Sequence, residues 1–247
     1  MSRILPFTWE VGMPVSLEDY QRWEDAAVSG WFSPLHTWTY ASANTFTIEG
    51  DYTALYKKGM KVRYKQGGSF KYGYVVTDST YSSPDTTVTV TGGSDYLLTN
   101  SAITDNYLST TENPIGFPKG FAYSPGGIAA TNVSVVGRFY LLGGERCKVD
   151  IRISFSGSIT FTSLPSLPIP VSADYVGGVS QQMSVAGHGN YLDSGSNYYP
   201  NGIYPVITTG GTVVNIRSGA NGAAMSATSP ITWANGDIVE LHFDYPI

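Results

Sequence analysis

Short segments in which polar and apolar residues alternate recur along most of this chain, and they constrain its fold more than any other feature. Residues 86–91 read Thr-Thr-Val-Thr-Val-Thr, and residues 146–155 alternate in the same way. A period of two places every second side chain on the same face of a β-strand. Because stretches rich in Gly, Pro and Ser separate these segments, the pattern predicts short strands joined by tight turns.

The composition agrees with this pattern. Charged residues make up only 13% of the chain, whereas hydrophobic residues make up 42% and include 18 Tyr, and there are 28 Gly and 14 Pro. This is enough apolar material for a core, and it is rich in residues that favour strands and turns. We therefore expect an all-β chain: a short N-terminal helix, a small β domain, and then a C-terminal jelly-roll-like β-sandwich.

Charge and cysteine content exclude several classes of function. The formal net charge is −5, which provides no general attraction to nucleic acid or to an anionic membrane. The single cysteine, Cys147, excludes an internal disulfide framework and lies in an alternating segment, which indicates a small buried side chain. No apolar run approaches the roughly 20 residues that span a bilayer. Residues 1–9 lack the features of a signal peptide, so we expect synthesis in a cytoplasm without export.

Residues 1–35 predict a helical attachment segment. Ser16 and Asp19 form a capping-box pattern, and Gly30 marks a C-terminal end, so a helix is expected over residues 17–28. Leu17, Tyr20, Trp23 and Ala27 share one face of this helix, and Trp9, Trp31 and Phe32 are nearby in the sequence. The candidates for virion attachment or oligomer contact are Leu17, Tyr20, Trp23, Trp31 and Phe32. Two interpretations stay open, because this face either docks on the chain's own β domain or attaches to a neighbouring copy or adaptor.

Residues 36–118 predict a small β module, with strands at 45–48, 60–66, 70–77 and 86–91. Six of the fourteen basic residues concentrate around its first hairpin, namely Lys57, Lys58, Lys61, Arg63, Lys65 and Lys71. Such a set indicates a solubilising strand face or, alternatively, a site for an anionic glycan or phosphate. Two prolines and a glycine at residues 113–118 predict the domain boundary.

Residues 119–247 predict the sandwich. We expect strands at 134–142, 146–155, 158–162, 178–185, 202–208, 213–216 and 237–245, a number that suits a sandwich or jelly roll. The last of these places Glu240, His242 and Asp244 on one face. That face either holds a metal ion or meets solvent or a neighbouring subunit.

The sequence contains none of the common catalytic motifs. The histidines are His36, His188 and His242, and no nucleophile elbow, zinc-protease helix or phosphate-binding loop is present. We therefore expect no enzymatic activity, no cofactor and no resident metal.

A turn-rich segment at residues 187–202 is the best candidate binding surface. Tyr rings provide flat apolar faces, and Asn, Asp and His satisfy hydroxyl groups. The candidate ligand-binding residues are His188, Asn190, Tyr191, Asp193, Asn197, Tyr198 and Tyr199. The alternative interpretation is an ordinary long loop that is packed by its own tyrosines.

Residues 36–118 resemble a small module of bacteriophage tail fibres and receptor-binding proteins. The likeness rests on the order and spacing of several segments: Trp38-Thr39-Tyr40-Ala41-Ser42-Ala43-Asn44, Phe46-Thr47-Ile48-Glu49-Gly50-Asp51, Lys58-Gly59-Met60-Lys61-Val62-Arg63, Gly92-Gly93-Ser94-Asp95-Tyr96 and Asn113-Pro114-Ile115-Gly116-Phe117-Pro118. The remainder is similar to the C-terminal heads of such fibres, through Gly137-Arg138-Phe139 and Trp233-Ala234-Asn235-Gly236-Asp237.

This resemblance implies a homotrimeric virion protein. Its N-terminal segment is expected to contact a virion adaptor or neighbouring structural proteins, and its head is expected to touch the host. The resemblance does not imply a ligand, and we expect the head to recognise a host surface glycan or protein. The resemblance implies display on the outside of the particle. The net charge and the lack of a long apolar run are the grounds for expecting no binding to nucleic acid and no membrane insertion. The alternative is a purely structural head fibre, capsid decoration or baseplate protein without a receptor, and a glycan-cleaving enzyme is a third reading.

Overall fold

The computed structural model describes residues 16–126, 132–142, 145–157, 165–174 and 183–247. The chain forms two antiparallel sheets, one of them curled, and a single short helix within these residues, which confirms the prediction of an all-β fold with an N-terminal helix. Its contacts divide it into two compact units after Lys119. The described residues contain no helix that is long and apolar enough to cross a membrane.

Helix α1 spans Leu17–Ser29 and has the predicted ends. The Ser16 hydroxyl accepts a 3.0 Å hydrogen bond from the backbone N–H of Asp19, and the Asp19 carboxylate accepts one of 3.3 Å from the Ser16 N–H. This reciprocal pair satisfies two N–H groups that a helix start leaves without partners. Gly30 ends the helix at φ 75°, a left-handed conformation that glycine adopts without strain.

The first unit contains α1 and a seven-stranded sheet. Its strands are β1 (Thr39–Ser42), β2 (Thr45–Glu49), β3 (Lys61–Gln66), β4 (Ser69–Val75), β5 (Thr80–Ser82), β6 (Asp85–Thr91) and β7 (Thr104–Ser109). They pair in the order β1-β2-β6-β4-β3-β7, and β5 also pairs with β6. The core is aromatic, with Trp38 stacked on Phe46 at 4.2 Å between ring centroids and Tyr56 edge-on to both.

Aromatic rings cover Lys61 and Arg63 on β3, which corrects the prediction of a solvated or anion-binding face for these two of the six basic residues. The Lys61 ammonium lies 5.5 Å from the ring centre of Tyr74, and Lys61 is only 9% exposed. The Arg63 guanidinium lies 4.1 Å from the ring centre of Tyr107 and 4.9 Å from that of Trp31. Cations over aromatic faces are stabilised by the ring quadrupole, so these two side chains serve packing.

The second unit is built on an eight-stranded antiparallel sheet. Its strands are β8 (Phe121–Tyr123), β9 (Val133–Leu142), β10 (Arg146–Phe155), β11 (Met183–Val185), β12 (Gly187–Leu192), β13 (Tyr198–Thr208), β14 (Asn215–Ser218) and β15 (Ile238–Pro246). They pair in the order β11-β13-β12-β15-β10-β9-β8, with β14 beside β13. The predicted strand at 158–162 lies outside the described residues, as do residues 178–182 of the predicted strand at 178–185.

The alternation of β15 separates a core face from an open face. One face is buried in the core and carries Val239, Leu241, Phe243 and Tyr245. Cys147 on β10 is also buried, and desolvation raises the pKa of its thiol to about 12, which agrees with its predicted role as a small apolar side chain. The opposite face of β15 carries the polar residues considered next.

Candidate functional site

The predicted binding loop at residues 187–202 is a β-hairpin. It consists of β12, a turn at residues 193–197, and the start of β13. The Asp193 N–H donates a 3.0 Å hydrogen bond to the Asn197 carbonyl, and the Ser196 N–H donates one to the Asp193 carbonyl. Asp193 and Asn197 therefore lie in the turn. The alternative of an ordinary long loop is wrong in its backbone, because most of the segment pairs as strand, although two of its tyrosines do pack together.

The hairpin sends its predicted ligand-binding tyrosines to opposite faces. Tyr191 is only 8% exposed, stacks on Tyr199 with 4.5 Å between ring centroids, and meets the edge of Trp233. Tyr191 is thus a core residue, and Tyr199 is half-buried against it, which corrects the prediction that both rings are presented to a ligand. Tyr198 points to the other face and is 57% exposed.

Strand pairing brings together two candidate surfaces that are distant in the sequence, the hairpin at residues 187–202 and the polar face of the last strand. Because β12 pairs with β15, His188 lies opposite His242, and Asn190 lies opposite Glu240. The polar residues of the hairpin and those of the last strand therefore share one surface. No local pattern reveals this, since about fifty residues separate the two strands along the chain.

A row of charged side chains extends this surface across the neighbouring strands. His242 lies opposite Asp150 on β10, which in turn lies opposite Arg138 on β9. The His242 Nδ1 and the Asp150 Oδ1 are 2.8 Å apart, and these side chains are 40% and 30% exposed. We call this surface the polar sheet face and define it as Arg138, Asp150, Arg152, His188, Asn190, Glu240 and His242.

Two shallow depressions lie on this side of the sheet. The larger has a volume of about 310 Å³ and is lined by Val136, Arg138, Asp150, Arg152, Glu240 and His242, among others. The smaller, of about 130 Å³, lies between Asn190, Tyr198 and Glu240. Val136 is 59% exposed and adds an apolar wall to the larger depression. The surface thus combines hydrogen-bonding groups with apolar area in a concave form.

Ion pairs already engage the carboxylates of the last strand. Arg152 lies 4.0 Å from Glu240, and Arg146 forms an ion pair with Asp244. No group of three or more His, Cys, Asp or Glu side chains is arranged to hold a metal ion in the described parts of the chain. The alternative in which Glu240, His242 and Asp244 together bind a metal is therefore not supported.

The exposed residues of α1 form a second candidate surface. Leu17 and Val28 are more than two-thirds exposed, Tyr20 is 54% exposed, and no residue of the helix is buried. Trp23 is half-buried. Arg22 connects the helix to the chain that follows, because its Nη2 donates a 2.6 Å hydrogen bond to the Ser33 carbonyl. Trp9 lies outside the described residues.

Two attachment candidates that follow the helix, Trp31 and Phe32, pack within the first unit. Trp31 is 2% exposed, and Phe32 exchanges two backbone hydrogen bonds with Leu108 on β7. Trp31 is therefore core material rather than an attachment contact. The prediction of a separate attachment segment at 1–35 is therefore wrong for Trp31 and Phe32, which pack with the sheet of the first unit.

Asp237 is a residue whose role the sequence did not reveal. It is 1% exposed, and its two carboxylate oxygens accept hydrogen bonds from the backbone N–H groups of Ser194, at 2.8 Å, and Ala234, at 2.7 Å. The carboxylate thereby holds the hairpin turn against the entry to β15. In the sequence, Asp237 directly follows the turn-forming pair Asn235-Gly236, and this pair is the one local feature that could have indicated its role.

Comparison with known proteins adds no neighbour. No family model, no curated protein and no solved structure matches the chain. The resemblance to phage fibres therefore stays a prediction, and the chemistry of the two surfaces is the basis for a functional proposal.

Proposed function

We propose that this chain is a homotrimeric tail-fibre or receptor-binding protein of a bacteriophage particle, and that its polar sheet face binds a glycan on the host surface. The observation that carries the proposal is the concave, open arrangement of paired charges beside exposed apolar side chains. The segments of the sequence that resemble phage fibres also support the proposal. We expect display on the outside of the virion and no catalytic step.

The arrangement suits a polyhydroxylated ligand. Sugar hydroxyls both donate and accept hydrogen bonds, and the face offers carboxylate acceptors in Asp150 and Glu240 beside guanidinium donors in Arg138 and Arg152. The 2.8 Å hydrogen bond between His242 and Asp150 orients the Asp150 carboxylate, so less side-chain entropy is lost there on binding.

Apolar contacts complete such a site. Tyr198 borders the smaller depression and presents an aromatic ring with a polar tip, and Val136 borders the larger one. Rings of this kind pack against the C–H faces of sugars, as they do in other polar and adaptable binding surfaces.

Oligomerisation strengthens a shallow site. Because the larger depression is shallow and open to solvent, it leaves much of a bound ligand exposed, so a single copy is expected to bind weakly. Three copies on one head, and many heads on a particle, multiply such an affinity without new contacts. The exposed Leu17, Tyr20 and Val28 of α1 support a contact with another chain, because clustered apolar side chains on a surface commonly mark an interface.

A pair of tyrosine variants tests the proposal on the full-length chain. Tyr198→Ala removes an exposed ring beside the polar sheet face, whereas Tyr81→Ala, the matched control, removes one that is 44% exposed on β5 of the first unit. Binding to bacterial cells and to a panel of purified capsular and O-antigen polysaccharides is measured. We expect Tyr198→Ala to weaken binding about tenfold and Tyr81→Ala to leave it unchanged.

The alternative is a purely structural virion protein without a receptor, and the exposed face of α1 fits that role equally well. A wild-type chain that assembles into particles but binds no cells and no polysaccharide of the panel supports the alternative. Equal loss of binding in both tyrosine variants counts against the polar sheet face as the binding surface. Shortening of the polysaccharide during incubation contradicts a purely binding role.

A further inference from the structure

We infer that His188 and His242 form a binding site for one divalent transition-metal ion, with zinc as the reference ion. The two residues lie directly opposite each other on β12 and β15, and their ring centroids are 5.5 Å apart at an interplanar angle of 37°. His188 is exposed and His242 is partly exposed, so an ion reaches both rings from solvent. This inference does not depend on glycan binding.

The spacing of the two rings matches that of two imidazoles on one ion. A Zn–N bond is about 2.0–2.1 Å long, and the centre of an imidazole lies about 1.1 Å beyond its nitrogen, so each ring centre is about 3.2 Å from the metal. At an N–Zn–N angle between about 109° and 120°, the two centres are then about 5.2–5.5 Å apart. The observed 5.5 Å lies at the upper end of that range, so the two rings are already at a separation that one shared ion allows.

Asp150 holds His242 in the tautomer that can bind a metal ion. Its Oδ1 lies 2.8 Å from the His242 Nδ1, and a carboxylate at this distance accepts the Nδ1–H. The proton is thereby held on Nδ1, which leaves the Nε2 lone pair available as a ligand. In metal sites, a histidine ligand commonly donates its other ring N–H to a carboxylate. This hydrogen bond fixes the orientation of the ring and increases the basicity of the nitrogen that binds the metal. Asp150 is thus a positioning residue.

Two glycines hold His188 in register with His242. A Cβ at Gly187 would lie 2.2 Å from the backbone oxygen of His242, and one at Gly189 would lie 2.7 Å from the Leu241 side chain. Any larger residue at either position pushes β12 away from β15. The Gly-His-Gly segment therefore allows β12 and β15 to approach closely on both sides of His188.

The ligand set selects the kind of ion. Neutral imidazoles suit zinc, copper and nickel, whereas magnesium and calcium prefer oxygen ligands. Glu240 is engaged by Arg152, and the described residues contain no set of three ligand side chains. The ion therefore keeps coordination positions for water or for an added donor, and its binding is weaker than in a closed structural site.

Zinc titration of the full-length chain by isothermal calorimetry tests the inference. The chain has three histidines, and His36 lies in the first unit, so His36→Gln is a matched control. We expect about one zinc ion per chain in the wild type and in His36→Gln, and at least about tenfold weaker binding in His188→Gln and in His242→Gln. Asp150→Asn is expected to weaken binding by about tenfold to a hundredfold.

NMR of the imidazole nitrogens supplies a readout that misfolding does not imitate. In the wild type, His242 is expected as the Nδ1–H tautomer, and zinc is expected to shift the His188 and His242 ring signals while those of His36 stay in place. In Asp150→Asn the tautomer preference is expected to weaken while the backbone spectrum is retained. Absence of zinc binding to the wild type, or unchanged binding after both histidines are replaced, overturns the inference.

Discussion

The indole Nε1 of Trp31 donates a 2.7 Å hydrogen bond to the carbonyl oxygen of Ile115, a residue 84 positions further along the chain. The Trp31 ring also packs against Phe117, with 5.9 Å between ring centroids. The chain just after α1 and the chain just before the second unit are thus joined on one face of the first sheet. Consequently α1 can be removed without disturbing the rest of the first unit only if the truncation ends before Trp31.

Two truncations that differ by a few residues are expected to behave differently. A chain beginning at Ser29 retains Trp31 and is expected to fold with almost unchanged stability, because no residue of α1 is buried. A chain beginning at Thr37 loses the Trp31 side chain from the core, and loss of a buried Trp costs about 3–5 kcal/mol. Urea denaturation followed by tryptophan fluorescence measures the difference. Equal stabilities of the two truncated chains contradict the structural role of Trp31.

The exposed face of α1 is expected to control assembly. Light scattering of the wild type is expected to give about three times the chain mass of 26.6 kDa. Leu17→Ser combined with Tyr20→Ser is expected to lower the oligomeric mass or to abolish incorporation into particles. The stability of the single chain is expected to change by no more than about 0.5 kcal/mol, because both side chains are exposed. A wild-type mass equal to that of one chain contradicts this.

Features with a local chemical cause were predictable from the sequence. Ser16, Asp19 and Gly30 specify the ends of α1 through capping alone. The alternation in β6, β10 and β15 is visible because both faces of these strands carry side chains of opposite polarity.

Features that depend on distant partners were not predictable. In β12, glycines at 187 and 189 carry no side chain on the inner face, so the alternation of that strand is invisible and the segment resembles a loop. Lys61 and Arg63 alternate like a solvated face, but Phe117 and Trp31, distant in sequence, cover them. The polar sheet face likewise arises from the pairing of β12 with β15, which no local pattern encodes.

Replacement of the two hairpin tyrosines is expected to separate stability from binding. Tyr191→Ala removes a buried ring that contacts Tyr199 and Trp233, and it is expected to cost about 3 kcal/mol of unfolding free energy. Tyr198→Ala removes an exposed ring and is expected to change the unfolding free energy by less than about 0.5 kcal/mol. Thermal and urea denaturation of both variants measure this. A larger effect at Tyr198 than at Tyr191 contradicts the assignment of the two faces.

His36 is expected to make the first unit less stable in mild acid. Its ring packs against that of Tyr52 with 3.8 Å between centroids, and its Nδ1 lies 3.4 Å from the Tyr56 hydroxyl, which already accepts a hydrogen bond from the Trp38 indole. Partial burial disfavours the charged imidazolium, so desolvation lowers the pKa of His36 below its ordinary value of about 6.5. The unfolded chain then binds this proton more readily than the folded chain does.

The sign of the effect follows from proton linkage. The contribution of His36 is fully present above the unfolded pKa of about 6.5 and is lost as the pH falls through the lower folded pKa. We expect the unfolding free energy of the wild type to fall more between about pH 7.5 and pH 5 than that of His36→Gln. Asp51 and Asp78, whose pKa values are lowered by hydrogen bonds from backbone N–H groups, lose their contributions only below about pH 4. Urea denaturation at the two pH values therefore isolates His36, and an equal fall in both proteins contradicts its role.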